Sequence, residues 1–465
     1  MSQERILAKT ESVCPECLQR IPARRVQRGD DVYLVKRCET HGTFEAIVWR
    51  GEPAPGAWVR PKTPTAPDHP LTPVERGCPF DCGLCPEHRQ QTCTALLEVT
   101  QHCNLHCAFC FAAQPDGAAE TGQVPPDPAL ATLEGWYRGL LRASGPCNVQ
   151  LSGGEPTLRD DLPAIVALGR ELGFNFIQVN TNGLRFAHDP DYVAALKTAG
   201  LASVFLQFDG VEDAIYRRLR GRPLLAEKEA ALAACAAHGL GVILVPTLVP
   251  GVNVHAIGDI VRFGLAHAPT VRGVHFQPVS YFGRYPTAPT DEDRITLPEV
   301  IRELAAQTEG LVRAEAFVPP GCENALCSFH GNFVQLTDGR LHAWTRRRSC
   351  CCQPQPAEEG AADARKFVAH QWVAPEPDAG VMPPGPSLGG WDEVLERART
   401  HGFCISGMAF QDAWTLDLER LRDCCIHTVA PDGRIVPFCA YNLTDRHGQA
   451  LYRATPDRAS EISQV

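Results

Sequence analysis

No stretch of this 465-residue chain stays apolar for the roughly 18 residues that a membrane span requires. The longest candidate, Gly241 to Val254, is broken by Pro246, Pro250 and Gly251. There is no surplus of basic charge either. The chain has 44 basic and 54 acidic side chains, a net charge of -10, so no basic face is available for a nucleic-acid backbone. Aromatics are only 7% and methionines only 3, which gives no obvious greasy surface. The start, MSQERILAKT, lacks an apolar signal core, so a cytoplasmic protein is expected. What remains, 44% hydrophobic and 21% charged, suits a globular protein of two or three domains.

Cysteine, in contrast, is abundant, with 21 in all. A disulfide scaffold would be short and secreted, so clustered thiols here point to metal. The first group pairs Cys14 and Cys17 with Cys38 and His41 across about twenty strand-rich residues. This is the ribbon arrangement of a mononuclear tetrahedral site, and its donors accept zinc or iron alike. The second group, Cys78, Cys82, Cys85 and Cys93, offers four thiolates that would close an auxiliary [4Fe–4S] cluster, with a second zinc site as the competing reading. His88 lies among them and reads as a solvated side chain. The third group is Cys103-x3-Cys107-x2-Cys110. The fourth is scattered: Cys322, Cys327, Cys350 to Cys352, Cys404, Cys424, Cys425 and Cys439. Of these, Cys322, Cys327, Cys425 and Cys439 can form another four-thiolate set, while the triplet reads as non-ligands. Cys147 and Cys235 read as ordinary buried thiols.

Six strand candidates alternate with helical patterns: Ala95–Thr100, Asn148–Leu151, Asn175–Asn180, Ser203–Phe208, Val242–Val249 and Val274–Val279. This implies an α/β fold, a parallel sheet curved or closed like a barrel, with ligands at the carboxyl ends of its strands. The third cysteine group follows the first strand, and Ser152-Gly-Gly-Glu-Pro156 follows the second, so both point to one mouth. Hairpins are expected at Asp338-Gly339 and Asp432-Gly433, and a helix opening at the capping box Thr296–Glu299. Residues 353 to 390, rich in Pro, Gly and Ala, read as irregular.

Three thiolates on one tight loop leave one iron of a [4Fe–4S] cluster open. An open iron can chelate S-adenosylmethionine, and one electron then yields a 5′-deoxyadenosyl radical. Cys103, Cys107 and Cys110, with an aromatic before the last, resemble the signature of the radical SAM superfamily. Gly153, Gly154 and Glu155 are similar to its element for the methionine amino group. Asn180 and Asp209, at strand ends, resemble its ribose and carboxylate contacts.

The order of ribbon, Gly-Cys-Pro-Phe-Asp-Cys-Gly-Leu-Cys-Pro, radical motif and the late Cys424-Cys-Ile-His segment resembles the class D radical SAM methylases and their relative, tetraether lipid synthase. The late hairpin is similar to auxiliary-cluster modules. The resemblance implies a partial (β/α)6 radical SAM barrel with an N-terminal metal ribbon and a C-terminal auxiliary iron–sulfur module. The expected divisions are residues 1–52, 53–94, 95–290 and 291–465. It implies C-methylation or carbon–carbon bond formation on a pterin-like or lipid acceptor, fed by an electron donor such as ferredoxin or flavodoxin. The alternative is a non-catalytic iron–sulfur electron carrier, which would not need Gly153, Gly154 and Glu155 beside an open-iron motif.

Overall fold

The structure, a computed structural model, describes residues 4–112, 124–345, 354–375 and 391–453. The chain opens with four antiparallel strands in sequence order: β1 (Glu4–Val13), β2 (Arg20–Arg28), β3 (Asp31–Cys38) and β4 (Gly42–Arg50). Apolar and polar residues alternate along β2 and β3, so Ile21, Ala23, Val32 and Leu34 face inward. Pro53 to Pro73 hold many prolines, so the sequence suggests an extended linker that sets the ribbon apart. In the structure it is docked on the body instead. Buried Lys36 donates to Ser12 Oγ (3.0 Å) and to the Ala413 carbonyl (2.5 Å). Thr10 donates to Asp417 at 2.6 Å, and Arg50 pairs with Glu299 at 2.7 Å.

Next come six parallel strands: β5 (Thr94–Thr100), β6 (Asn148–Gly153), β7 (Ile177–Thr181), β8 (Ser203–Gln207), β9 (Gly241–Val245) and β10 (Val271–Pro278). Their outward residues, such as Leu97, Val149, Leu151, Val179 and Val204, are fully buried in the main core with the covering helices. On β6 and β7 the intervening positions are Asn148, Gln150, Gln178 and Asn180, which line the lumen. Alternation thus separates a greasy exterior packing layer from an amide-bearing lumen. Helix Leu297–Gln307 begins at the expected capping box of Thr296 and Glu299.

The expected boundary at 290 does not interrupt the sheet. The C-terminal third supplies β11 (Ser328–Gln335), β12 (Leu341–Ala343), β13 (Gly402–Met408), β14 (Ile426–Val429) and β15 (Ile435–Pro437). The resulting order is β12-β11-β13-β10-β9-β8-β7-β6-β5-β14-β15. β13 runs parallel to β10, and β14 parallel to β5, so late strands extend the barrel at both edges. Both expected hairpins form, with Gly339 and Gly433 at positive φ in their turns.

The stretch read as irregular holds a helix, Ala357–Gln371. Its residues Gly360, Asp363, Ala364, Phe367 and Val368 line the lumen, a helical 3–4 spacing, so one face forms a floor at the amino ends of the strands. The floor is pressed close: a side chain at Gly241 would meet the Trp372 carbonyl at 2.4 Å. The Cys350 to Cys352 triplet and residues 376–390 lie outside the described residues.

Candidate active site

The mouth is built where β5 and β6 end. Gly153 has φ of 121°, and a Cβ there would sit 2.1 Å from the Thr100 carbonyl; at Gly154 it would sit 2.1 Å from that of His102. Only glycine permits this contact. The backbone N–H groups of Gly154 and Glu155 donate to Thr100 (2.8 Å) and His102 (2.7 Å), clamping the cysteine loop to the second strand. Glu155 is buried. Its Oε1 accepts from the Thr157 N–H and from the hydroxyls of Thr157 and Thr181, while Oε2 takes one bond, from the Asn182 N–H.

The loop's far end is tied by a reciprocal backbone pair, Cys110 N to Arg284 O (3.0 Å) and Arg284 N to Cys110 O (2.9 Å). Cys103 is exposed at the mouth, Cys107 and Cys110 are half-buried, and Cys110 also lines the lumen. Asp209 lies deeper. Its carboxylate is held in a two-point pair by buried Arg220 (2.7 and 2.8 Å) and accepts from the Thr247 N–H. Arg220 also reaches the Cys107 sulfur. Asp209 therefore positions an arginine under the cysteine loop rather than presenting a free carboxylate. Asn180 donates weakly to Gln150 (3.5 Å) and Ser152 (3.4 Å), and its Oδ1 has no partner.

From Cys110 the lumen descends as a cavity of about 420 Å³. Its polar wall holds Asn148, Gln150, Gln178 and Asn180, with Gln150 donating to Gln178 at 2.8 Å. The facing wall carries Phe205, stacked on Trp372 with centroids 5.8 Å apart, and His275, bonded to Ser406 at 2.8 Å. Burial pulls the His275 pKa down to about 4, so the ring is neutral at ordinary pH.

The thiols regroup. Cys93, Cys322 and Cys425 bring their sulfurs within 4.8 Å of one another at the bottom of the lumen. Cys93 thus leaves the set read with Cys78, Cys82 and Cys85, because it lies just before β5, where its N–H donates to the Cys425 carbonyl at 2.8 Å, and lines the bottom of the lumen. Cys78, Cys82 and Cys85 stay together on their own loop, with Cys78 hydrogen-bonded to Cys82. Cys327, Cys424 and Cys439 form a further neighbourhood: after burial, the charges of Cys439 and Cys327 push the Cys424 pKa up, and that of Cys327 pushes the Cys439 pKa up. Arg420 donates to Cys327 Sγ at 3.4 Å. The late set read from the sequence is therefore divided: Cys322 and Cys425 go one way, Cys327 and Cys439 the other. The signal was the Cys424–Cys425 doublet. The doublet lies just before β14, where Cys424 joins one group and Cys425 the other, so it serves both groups rather than offering alternatives.

Cys14, Cys17, Cys38 and His41 also come within 4.8 Å, with His41 Nδ1 3.5 Å from the sulfurs of both Cys14 and Cys38. Three thiols and an imidazole suit a tetrahedral ion. His88 is buried, not solvated. Its Nε2 lies 2.7 Å from the Cys424 carbonyl and 3.1 Å from His427, and burial lowers its pKa to about 4.

Residues 6–50 match the model of the HMPTM N-terminal zinc ribbon domain, and residues 97–264 match that of the radical SAM superfamily. The chain is 33% identical to the 7,8-dihydro-6-hydroxymethylpterin dimethyltransferase of Methanocaldococcus jannaschii, over 94% of each chain. It is 29% identical to the GTP 3′,8-cyclase of Erythrobacter litoralis, over 43% of this chain and 56% of that one. The crystal structure of SuiB from Streptococcus suis aligns with 47% of this chain and 46% of that chain, at 15% identity and a TM-score of 0.36. Among the described residues, no helix is long and apolar enough to cross a membrane.

Proposed function

Since this chain belongs to the radical SAM superfamily, in the family of that dimethyltransferase, we propose that it C-methylates a carbon of a pterin-like ring held in the barrel lumen. The observation that carries this reading is the lumen's polar wall. Asn148, Gln150, Gln178 and Asn180 form a row of amides, which a planar heterocycle can satisfy and an alkyl chain cannot. A lipid acceptor would leave Asn148 Nδ2 and Asn180 Oδ1, the two atoms of this row without a protein partner, buried and unmatched at a cost of about 1–3 kcal/mol each.

Cys103, Cys107 and Cys110 would hold the [4Fe–4S] cluster, which, once bound, delivers the electron that releases a 5′-deoxyadenosyl radical from S-adenosylmethionine. The chain's own residues do the rest. Glu155 Oε2 keeps acceptor capacity for the methionine ammonium, and the Gly153–Gly154 clamp fixes the loop's distance from it. Arg220, held by Asp209, offsets the charge of the Cys107 thiolate. The floor helix closes the lumen against water, which protects a radical from quenching. Cys14, Cys17, Cys38 and His41 would hold zinc as a structural ion, and the other thiol groups would hold auxiliary clusters. The reading includes a reduced ferredoxin or flavodoxin as donor, a folate-type one-carbon source and a cytoplasmic setting.

The test is anaerobic reconstitution with dithionite, S-adenosylmethionine and a 6-hydroxymethyl dihydropterin, followed by mass spectrometry. The reading expects 5′-deoxyadenosine together with a pterin heavier by one methylene unit per transfer. Coupled alkyl chains from added lipid, with the pterin unchanged, would overturn it.

A further inference from the structure

Asn148 begins β6 beside the floor, is 6% exposed, and has an Nδ2 with no partner. Its backbone N–H is already committed to the Cys93 carbonyl at 3.0 Å, so its position is fixed. On β11, Asn332 likewise leaves Oδ1 buried and unpartnered. Both side chains line the same cavity as the Phe205–Trp372 stack. Folded proteins rarely strand buried amide atoms, and each costs about 1–3 kcal/mol. A donor on one strand and an acceptor on another, near an aromatic platform, fit an occupant with both donors and acceptors on its edge and flat apolar faces.

We propose that the lower lumen is a ring-edge subsite. Asn148 donates to a ring carbonyl or imine nitrogen, Asn332 accepts from a ring N–H or exocyclic amine, and one ring face rests on the Phe205–Trp372 pair. This deepens the pterin reading and rests on it. The dimensions agree. From Asn148 to Ser152 is four strand residues, about 13 Å at roughly 3.3 Å each, the length of two fused rings with a one-carbon branch. With its amide edge on the floor, the ring directs its branched end to the mouth, where Cys110 and the Gly153–Gly154 clamp lie. The subsite thus sets which end of the substrate meets the radical. The floor helix Ala357–Gln371 sets how deep the ring sits.

The experiment is equilibrium titration of the anaerobic, iron-loaded protein with a 6-hydroxymethyl dihydropterin, followed by ligand fluorescence, with S-adenosylmethionine binding and iron content measured alongside. Asn148→Ala and Asn332→Ala should each weaken pterin binding about 10-fold, the size of one good hydrogen bond, with iron content and cofactor binding unchanged. The aspartates separate the two roles. Asn332→Asp keeps an acceptor and should hold near wild-type affinity, whereas Asn148→Asp removes the donor and should bind weakest of all. Wild-type affinity in both alanine variants overturns the subsite and leaves the methylase reading standing. Equal losses in the two aspartate variants overturn the assigned polarity. No pterin binding by the wild-type protein takes down both readings.

Discussion

The two ends of the lumen are made differently. At the mouth, Cys103, Cys107 and Cys110 belong to one eight-residue loop, fastened by the Gly154 and Glu155 N–H groups, which donate to its flanking Thr100 and His102 carbonyls, and by the backbone pair of Cys110 with Arg284. At the floor, Cys93, Cys322 and Cys425 come from three distant segments; strand pairing between β5 and β14 sets Cys93 beside Cys425, and the loop before β11 brings in Cys322. The mouth is local, partly exposed and geometrically insured by two glycines. The floor is global and buried. A mouth thiol is expected to matter to chemistry alone, whereas a floor thiol matters to both chemistry and packing.

The largest expected effect is at the mouth. Cys103→Ala, Cys107→Ala or Cys110→Ala should each abolish 5′-deoxyadenosine formation, measured anaerobically, with little change in melting temperature. Melting loss as large as at the floor would erase the contrast. At the floor, the Cys322→Ala/Cys425→Ala pair should lose about four irons while some 5′-deoxyadenosine formation survives. Unchanged iron content would remove these thiols from the metal sites.

Gly154→Ala probes the seam at the mouth. Its Cβ would stand 2.1 Å from the His102 carbonyl, and backbone cannot yield as a side-chain tip can. A loss of about 2–4 kcal/mol in urea unfolding, together with loss of S-adenosylmethionine binding, is expected. A smaller effect comes from His275. Its folded pKa of about 4 lies below the unfolded value near 6.5. Above pH 6.5 neither state binds the proton and the contribution is fully present. As pH falls toward 4, the unfolded chain takes a proton that the folded one refuses. Stability then drops by up to about 1.4 kcal/mol per pH unit. Denaturant midpoints at pH 7.5 and 5.5 should converge in His275→Gln relative to wild type. The smallest effect belongs to the outer surface, where Arg138→Ala breaks an exposed pair with Glu134 and should change stability by less than about 0.5 kcal/mol.

The same contrast explains what could be read in advance. The mouth was legible because Cys103 to Cys110 and Ser152 to Pro156 are contiguous, and the six barrel strands stood out as short, largely apolar or alternating segments between helical patterns. The floor was not. Whether Cys93 belongs with Cys85 or with Cys425 depends on which strand lies beside β5, and that pairing spans more than three hundred residues. The helix Ala357–Gln371 was obscured by the prolines on either side of it, although its Glu358-Glu-Gly-Ala-Ala-Asp-Ala-Arg-Lys366 core favours helix. Lys36 and Asp417, which fasten the ribbon to the body, carry no motif at all.

Because the Cys424–Cys425 doublet supplies sulfurs to two neighbourhoods at once, order of synthesis becomes a constraint. The mouth's three cysteines are made within the first quarter of the chain, and the last of its backbone clamps, Arg284, follows well before the final third is complete. Neither late neighbourhood exists until the last tenth of the chain appears. A maturation apparatus must therefore visit this protein twice, or wait until translation has ended. A truncation before residue 424 should yield a protein that keeps the mouth thiols and the Cys78–Cys85 loop but lacks both late neighbourhoods, and its iron content should fall accordingly.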